Sequence, residues 1–202
     1  MGVASHGMCV MKTNLRILGI DDSPFLRHDE TCFLIGVIMR LDFYVEGFMT
    51  KQIHVDGNDA QALIAEMAET RSGKGCNVIM TNGITFGGFN IIDPHALYER
   101  LRKPIITVTN KSPDMETLKA AISKYLHSQS SIDLIERLSM EEIELASGHL
   151  VYINRAGINA IDARSLIRKT IRQGSVPEPI RMAHLIGRLL KFGYSGKIIP
   201  GT

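Results

Sequence analysis

Residues 15–24, LRILGIDDSP, decide the fold, because an apolar run ends there at a turn of two aspartates, a serine and a proline. A run this continuously apolar is typical of a strand buried on both faces. Residues 32–39 (CFLIGVIM) predict a second buried strand, and residues 43–55 predict a longer strand whose polar positions suit a sheet edge. Because the connections are short, the three strands are predicted to form an antiparallel meander.

The hydrophobic period changes after residue 55, where helices begin to alternate with strands. Asn58 is predicted to cap the first helix, with Gln61 completing a capping box. The next segments predict strand four, a helix capped by Asp93, strand five and an amphipathic helix: residues 77–80, 94–101, 104–109 and 118–126.

The resulting order, β-β-β-α-β-α-β-α, is that of an α/β protein with a ribonuclease H-like fold. In that fold strand one is central in a mixed five-stranded sheet, with strands two and three on one side and strands four and five on the other. A doubly wound sheet would instead require a helix between the first strands, and the connections leave no room for one.

The C-terminal part of the chain is predicted to add elements to the same core. These elements are a short helix, a strand and two longer helices: residues 132–138, 150–153, about 159–173 and 179–191. We expect residues 1–12 to be a disordered lead-in and residues 13–202 to form a single domain, in which residues 130–202 are a basic elaboration.

Composition indicates an ordinary globular protein, with 45% hydrophobic and 22% charged residues. The longest apolar run is far shorter than the roughly 20 residues that cross a bilayer, and the N-terminus lacks the layout of a secretory signal. Cys9, Cys32 and Cys76 are odd in number and share no metal-type spacing, so we interpret them as reduced thiols. We therefore expect a cytoplasmic protein without a membrane partner.

The net charge of +2 hides an asymmetry between the two parts of the chain. Residues 151–202 carry nine Lys and Arg residues and two acidic residues. Residues 1–150 carry 14 Lys and Arg residues and 19 acidic residues. An acidic region beside a basic one suits metal ions and a polyanion, although uneven surface charge is an equal alternative.

Carboxylates at the ends of strands one, three and four are predicted to converge on one edge of the sheet. Asp21 is the favoured ligand on strand one and Asp22 the alternate, while Asp56 or Asp59 follows strand three and Asn82 ends strand four. Such oxygens hold Mg²⁺ or Mn²⁺ for phosphodiester hydrolysis, with Asp21, Asp59 and Asn82 as the catalytic set. The alternative for each acid is a structural role in a turn or at a helix start.

Two further features suit nucleic acid. The glycine-rich loop at residues 83–90 (GITFGGFN) carries Phe86 and Phe89, which could stack on an extruded base or could instead plug the core. The last two helices carry basic rows that could follow a phosphate backbone or simply be solvated: Arg164, Arg168 and Arg172, then Arg181, His184, Arg188 and Lys191.

Four motifs resemble one known family: residues 19–25 (GIDDSPF), 82–90 (NGITFGGFN) with Asp93, 156–158 (AGI) and 177–186 (PEPIRMAHLI). They resemble the archaeal domain-of-unknown-function family that includes the endonuclease dU proteins, which are relatives of endonuclease V. The resemblance covers residues 13–197. It implies a ribonuclease H-like fold and Mg²⁺-dependent cleavage of nucleic acid, expected to be DNA, near a deaminated base.

The resemblance carries Asp21 over as the metal ligand of strand one, and Asp56 or Asp59 as the second ligand. Asn82 stands where an aspartate is expected on strand four. The leading hypothesis is a metal-dependent endonuclease in the repair of deaminated bases. A non-catalytic nucleic-acid-binding or regulatory protein on a degenerate fold is the alternative that Asn82 favours. A small-molecule-binding α/β protein is the third, and the oligomeric state stays open.

Overall fold

The computed structural model describes residues 14–112, 114–125 and 128–196. The predicted lead-in, Cys9 and Leu126 lie outside the described residues. Within the described ranges, no helix is both long enough and apolar enough to cross a membrane. Cys32 and Cys76 are free and buried, and burial raises the pKa of their thiols to about 12 and about 11.

Nine strands and seven helices are formed by the described residues. The strands are β1 (Arg16–Asp22), β2 (Thr31–Arg40), β3 (Val45–His54), β4 (Val78–Asn82), β5 (Thr85–Phe86), β6 (Asn90–Ile91), β7 (Ile105–Thr109), β8 (Glu141–Glu144) and β9 (Leu150–Ala156). The helices are α1 (Ala60–Glu69), α2 (Arg71–Lys74), α3 (Pro94–Leu101), α4 (Met115–Tyr125), α5 (Gln129–Arg137), α6 (Ala160–Thr170) and α7 (Glu178–Phe192).

The main sheet has the strand order β3-β2-β1-β4-β7-β9-β8. The first five positions follow the predicted arrangement: β1 is antiparallel to β2 and parallel to β4, and β4 is parallel to β7. Because β1 and β4 are parallel neighbours, their carboxyl ends lie at the same edge of the sheet. The edge that carries Asp22 and Asn82 is called the carboxyl edge below.

The predicted count of five strands is wrong, because β9 and β8 extend the sheet to seven. Strand β9 pairs antiparallel with β7 and continues to Ala156, and β8 pairs with β9. The sequence of β8, EEIE, has one apolar residue and gives no recognisable strand signal. A two-stranded hairpin of β5 and β6 also forms inside the glycine-rich loop.

The predicted capping box at the start of α1 is wrong. Asp59, not Asn58, occupies the cap position, and its side chain makes no capping hydrogen bond. The first backbone N–H of α1 instead donates to Oδ1 of Asn90 at 2.9 Å. Gln61 accepts from the backbone N–H of Asp93, which itself caps α3 as predicted. A distant side chain therefore satisfies the first backbone N–H of α1, and local spacing could not show this.

Helices cover both faces of the sheet. Side chains of α1 and α3 pack with Leu18, Ile20 and Leu34 on one face, and side chains of α6 and α7 pack with Ile17 and Met80 on the other. Gly19 lies in the middle of β1 directly under α7, where a Cβ atom would come within 3.0 Å of Pro179. The missing side chain lets the start of α7 rest on the backbone of β1.

Replacing Gly19 with alanine should force α7 away from β1. Overpacking of this kind costs about 1–3 kcal/mol, which corresponds to a fall in melting temperature of roughly 2–12 °C for a chain of this size. The matched control is Gly47→Ala in β3, because a Cβ atom there meets nothing within 4 Å. Thermal unfolding followed by circular dichroism measures both, and an unchanged melting temperature in Gly19→Ala would contradict the close approach.

Candidate active site

The side chain of Asp21 is the centre of the site. It is only 1% exposed, at the end of β1 on the face that α7 covers. Asn82 Nδ2 donates to its Oδ1 at 2.9 Å, and His184 Nδ1 lies 3.1 Å from its Oδ2. The predicted neighbours Asp21 and Asn82 are thus in contact, and His184 joins them from α7.

Three elements bring these side chains together. The register of β1 and β4 pairs Ile20 with Thr81, so the next residue on each strand lies at the same level of the carboxyl edge. Helix α7 passes close to this edge because Gly187 faces the backbone of Ser23, where a Cβ atom would lie 2.9 Å from the Ser23 Cα. A larger residue at this position would push His184 away from Asp21.

Asp22 points to the opposite face from Asp21, as expected for successive residues of a strand. Its Oδ2 accepts a 2.6 Å hydrogen bond from the backbone N–H of Gly87 in the glycine-rich loop. Burial raises the pKa of Asp22 to about 6, and the negative charge of Asp21 adds to the rise although the Gly87 bond opposes it. The charges of Asp21 and Asp22 are therefore close enough to influence each other although the two side chains leave the strand on opposite faces.

His184 is the solvent-facing member of the site, with half of its side chain exposed. The hydrogen bond to Asp21 raises the pKa of His184, and this effect outweighs burial and the nearby charge of Arg188, which lower it. Because Nδ1 is engaged with Asp21, Nε2 is the ring nitrogen left to meet a ligand.

Asp56 shapes the glycine-rich loop. Its Oδ1 accepts from the backbone N–H of Phe89 at 2.9 Å, and its own N–H donates to the carbonyl of Gly87 at 2.7 Å. The backbone of Asp56 is left-handed (φ 54°), and a Cβ atom on Gly88 would collide with its carboxylate. These contacts give Asp56 the structural role that the sequence left open.

Asp59 is also engaged locally. It accepts from Nδ1 of His54 at 2.8 Å, from Nδ2 of Asn90 at 2.6 Å and from the backbone N–H of His54. Burial alone would raise the pKa of Asp59, but these hydrogen bonds outweigh it and lower the pKa. In residues 14–112, 114–125 and 128–196, no three His, Cys, Asp or Glu side chains are grouped to hold a metal ion. A second ligand from Asp56 or Asp59 stays a prediction.

The two loop phenylalanines differ. Phe86 is fully buried among the side chains packed under α1 and α3, so the prediction that it stacks on a base is wrong. The β5–β6 hairpin turns its ring into the core. Phe89 is partly exposed and stacks on Tyr125 with ring centroids 6.1 Å apart. A pocket of about 470 Å³ beside it is lined by Asp56, Gly57, Asn58, Phe89, Ile91, Ser128 and Ser131.

The basic row of Arg164, Arg168 and Arg172, called the α6 row although Arg172 follows the end of the helix, makes contacts within the protein. Arg164 lies 3.7 Å from Glu141, and Arg168 donates to the carbonyl of Glu144 at 3.3 Å. The Arg172 guanidinium lies 4.8 Å from the ring of Phe43, in the β2–β3 turn. This turn is at the opposite end of β1 from Asp22, because β2 runs antiparallel to β1. The position of Arg172 therefore gives no support to its predicted nucleic-acid role, whereas the roles of Arg164 and Arg168 stay predictions.

The basic row of α7 runs past the site instead. Arg181 pairs with Glu178 at 2.6 Å, and Lys191 pairs with Asp29 at 2.5 Å. Arg188 has a different environment: its guanidinium lies 5.6 Å from the ring of Phe192 and near enough to His184 to lower that residue's pKa. Arg188 is thus the arginine of this row that stands beside the candidate site.

The family model of endonuclease dU matches residues 13–191. The chain belongs to the endonuclease dU family. A UPF0215 protein of Methanothermobacter thermautotrophicus is 38% identical over 197 residues, which cover 95% of each chain. Members of this family are therefore found among archaea, as the four motifs indicated.

Solved structures show the same fold. A protein of unknown function from Archaeoglobus fulgidus is 30% identical, with a TM-score of 0.75 over 86% of this chain and 96% of its own. An endonuclease V from Ciona intestinalis, bound to a 24mer DNA that contains an inosine followed by a ribo-adenosine, has a TM-score of 0.56. Its sequence is 12% identical, and the match covers 84% of this chain and 82% of the endonuclease V chain. The endonuclease dU chain thus has a mixed α/β fold similar to that of endonuclease V.

Sequence reasoning missed two contacts that organise the site. One is the hydrogen bond from the Gly87 backbone to Asp22, and the other is the role of Asn90, which joins α1, Asp59 and the carbonyl of His54. Both residues lie in the motif at 82–90 that carried the resemblance. The motif was therefore a signal for these contacts, although it did not show which partners they had.

Replacing Asp22 with asparagine should stabilise the metal-free protein at neutral pH. The parent carboxyl has a folded pKa near 6 against an ordinary value of 3.8, so its ionisation disfavours folding as pH rises from about 4 to 6. The variant has no such loss, and its melting temperature should exceed the parent's by about 2–4 °C for each kcal/mol that burial and charge repulsion of the ionised carboxyl cost the parent. Thermal unfolding in chelator from pH 4 to 8 measures the difference.

The control is Asp42→Asn on the surface. The hydrogen bond from Arg40 lowers the pKa of Asp42, so this substitution should reduce stability slightly at neutral pH, and the reduction should vanish as pH falls below about 4. An Asp22→Asn variant that is less stable than the parent at pH 7.5 would contradict the expected stabilisation, and would show that the charge of Asp22 strengthens the hydrogen bond from Gly87 by more than its burial costs.

Proposed function

We propose that this endonuclease dU family member is a metal-dependent endonuclease that cuts nucleic acid, DNA in the first instance, near a deaminated base. The proposal includes a ribonuclease H-like active site at the carboxyl edge of the sheet. The observation that carries it is the buried carboxylate of Asp21 in contact with Asn82 and His184, with the carboxyl of Asp22 beside it.

The residues present fit Mg²⁺ or Mn²⁺. Mg²⁺ is commonly held by one or two carboxylates and keeps several waters, which is what Asp21 and Asp22 could provide. Burial raises the pKa of Asp22, and the negative charge of Asp21 adds to the rise, so positive charge here would be stabilising. Asn82 could contribute its amide oxygen if the side chain turned over, since it now donates through nitrogen. A bound ion would supply Lewis-acid stabilisation of the charge that develops on the phosphate.

The protein's own groups hold the substrate. The Asp21 carboxylate fixes the ring of His184 through Nδ1 and directs Nε2 outward, where it can donate a hydrogen bond to a phosphate oxygen. Arg188, one turn further along α7, supplies a second positive charge to the same strand. Asp22 fixes Gly87 and so ties the position of the glycine-rich loop to the site.

Recognition of the base is proposed for the pocket beside Phe89. One wall is apolar, from Phe89 and Ile91, and the remaining lining offers hydroxyl, amide and carboxylate groups. A base needs this combination of a stacking surface and hydrogen-bonding groups for its edge. Its position next to the glycine-rich loop, which Asp22 holds, is what supports the assignment.

Replacing Asn82 with aspartate should make metal binding stronger and the metal-free protein less stable. The change removes the amide donor to Asp21 and adds a third negative charge, so the melting temperature in chelator should fall. With Mg²⁺ or Mn²⁺ the variant should recover more stability than the parent, and cleavage of uracil- or hypoxanthine-containing oligonucleotides should need less metal. Thermal unfolding and cleavage assays over a metal titration measure both.

Asp21→Asn is the matched loss-of-function variant, and it should abolish cleavage while circular dichroism shows an intact fold. Cleavage at the parent's rate would make Asp21 structural and end the assignment for this site. If the parent and Asn82→Asp both leave every deaminated substrate intact with either metal, the non-catalytic nucleic-acid-binding alternative is the better one.

Charge reversal should separate the two basic rows. Arg188→Glu should weaken binding of an oligonucleotide about 10-fold or more at low salt and reduce the salt dependence by about one phosphate contact. Arg172→Glu is the control, because that guanidinium lies on Phe43 away from the carboxyl edge, and its affinity should stay near the parent's. Fluorescence anisotropy over a salt titration measures the affinity of both variants. Equal losses of affinity in the two variants would show that the α6 row also contributes to nucleic-acid binding.

A further inference from the structure

The C-terminal end of α7 exposes an unusual group of large apolar side chains. Phe192 and Tyr194 are 44% and 45% exposed, and Leu189 and Leu190 beside them are 49% and 45% exposed. The two rings lie 6.3 Å apart at a tilt of 36°. Exposed aromatic rings in a cluster mark an interaction surface more often than single exposed side chains do.

This cluster is continuous with the candidate site. His184, Arg188 and Phe192 follow one another at intervals of four residues, so they lie along one side of the helix. The Arg188 guanidinium contacts the Phe192 ring at 5.6 Å, and His184 contacts Asp21 at the other end of the row. The row extends about 12 Å from His184 to Phe192, which is the length of about three to four nucleotide steps.

The charges of this surface favour a polyanion as its occupant. The Arg188 guanidinium borders the rings and supplies positive charge to this surface. Asp29 pairs with Lys191, which does not belong to the row of His184, Arg188 and Phe192. The Asp29 carboxylate therefore lies beside the row and not on it. A two-fold contact centred on Arg188 would bring two copies of its guanidinium together, which disfavours a second copy in that arrangement.

We propose that Phe192 and Tyr194 form a stacking platform for unpaired bases of the strand that Arg188 and His184 hold by its phosphates. The proposal rests on the nuclease function above and specifies its substrate as single-stranded or locally unpaired nucleic acid. Aromatic rings beside a basic row bind such strands because every base has a face that can stack, whereas paired bases in a duplex keep theirs covered.

A tryptophan probe tests the platform without relying on cleavage. The chain contains no tryptophan, so Phe192→Trp places a single indole at the platform, and Phe48→Trp places one at another exposed position, on β3, as the control. Titration with oligothymidylate in chelator should quench the first indole until it saturates and leave the second unchanged. A matched duplex should quench the first much less. Phe192→Leu and Tyr194→Leu should each weaken single-strand affinity about 10-fold.

Three results would overturn the platform. The first is binding of the single strand without quenching of the indole in Phe192→Trp, and the second is equal quenching in both probes. The third is a fluorescence change that depends on protein concentration when no oligonucleotide is present, because that change would identify a second copy as the occupant. The cleavage assay fails independently. If oligonucleotide quenches the indole but the protein never cuts, the platform is supported and the nuclease function is rejected. If the protein cuts without quenching, the nuclease function is supported and the platform is rejected.

Discussion

Burial of the Asp21 carboxylate is the constraint on which the site depends. An ionised carboxyl group that is almost fully removed from water is very costly unless hydrogen bonds or opposite charge compensate it. Here the compensation comes from Asn82 on β4 and His184 on α7, two elements far apart in the sequence. The parallel pairing of β1 with β4 and the seating of α7 on Gly19 are therefore conditions for a folded site as well as for the core.

The same edge connects the site to the glycine-rich loop. Asp22 binds the Gly87 backbone N–H, the Gly87 carbonyl binds the backbone of Asp56, and Asp56 binds the N–H of Phe89. This chain of hydrogen bonds runs from the pair of carboxyl groups to the pocket beside Phe89. A change of charge at Asp22, from a proton or a cation, would alter the first bond in the chain, and so it offers a physical route by which metal and base could influence each other.

The sequence was a good guide to the strand order and a poor one to local roles. Long apolar runs predicted β1, β2, β4 and β7 because strands buried on both faces must be apolar, and short connections then set the meander. Strand β8 was missed because it is short, polar and defined only by its pairing with β9. Asp56, Asp59 and Phe86 each had a structural alternative to a chemical role, and the contacts that fix their surroundings, with loop backbone, with His54 and Asn90, and with the core, are not visible from spacing alone.

Asn82 is better understood from its contact than from its departure from the expected aspartate. A third carboxylate at this position would face and repel Asp21 without a donor, where burial already raises the pKa of Asp22 and the negative charge of Asp21 adds to the rise. The amide removes that repulsion and donates a hydrogen bond, so it stabilises the site when no cation is bound. The cost is one fewer negative charge toward a cation. Under the proposed metal-dependent function, stability of the empty site and affinity for metal would be opposed at this residue, and the asparagine favours stability.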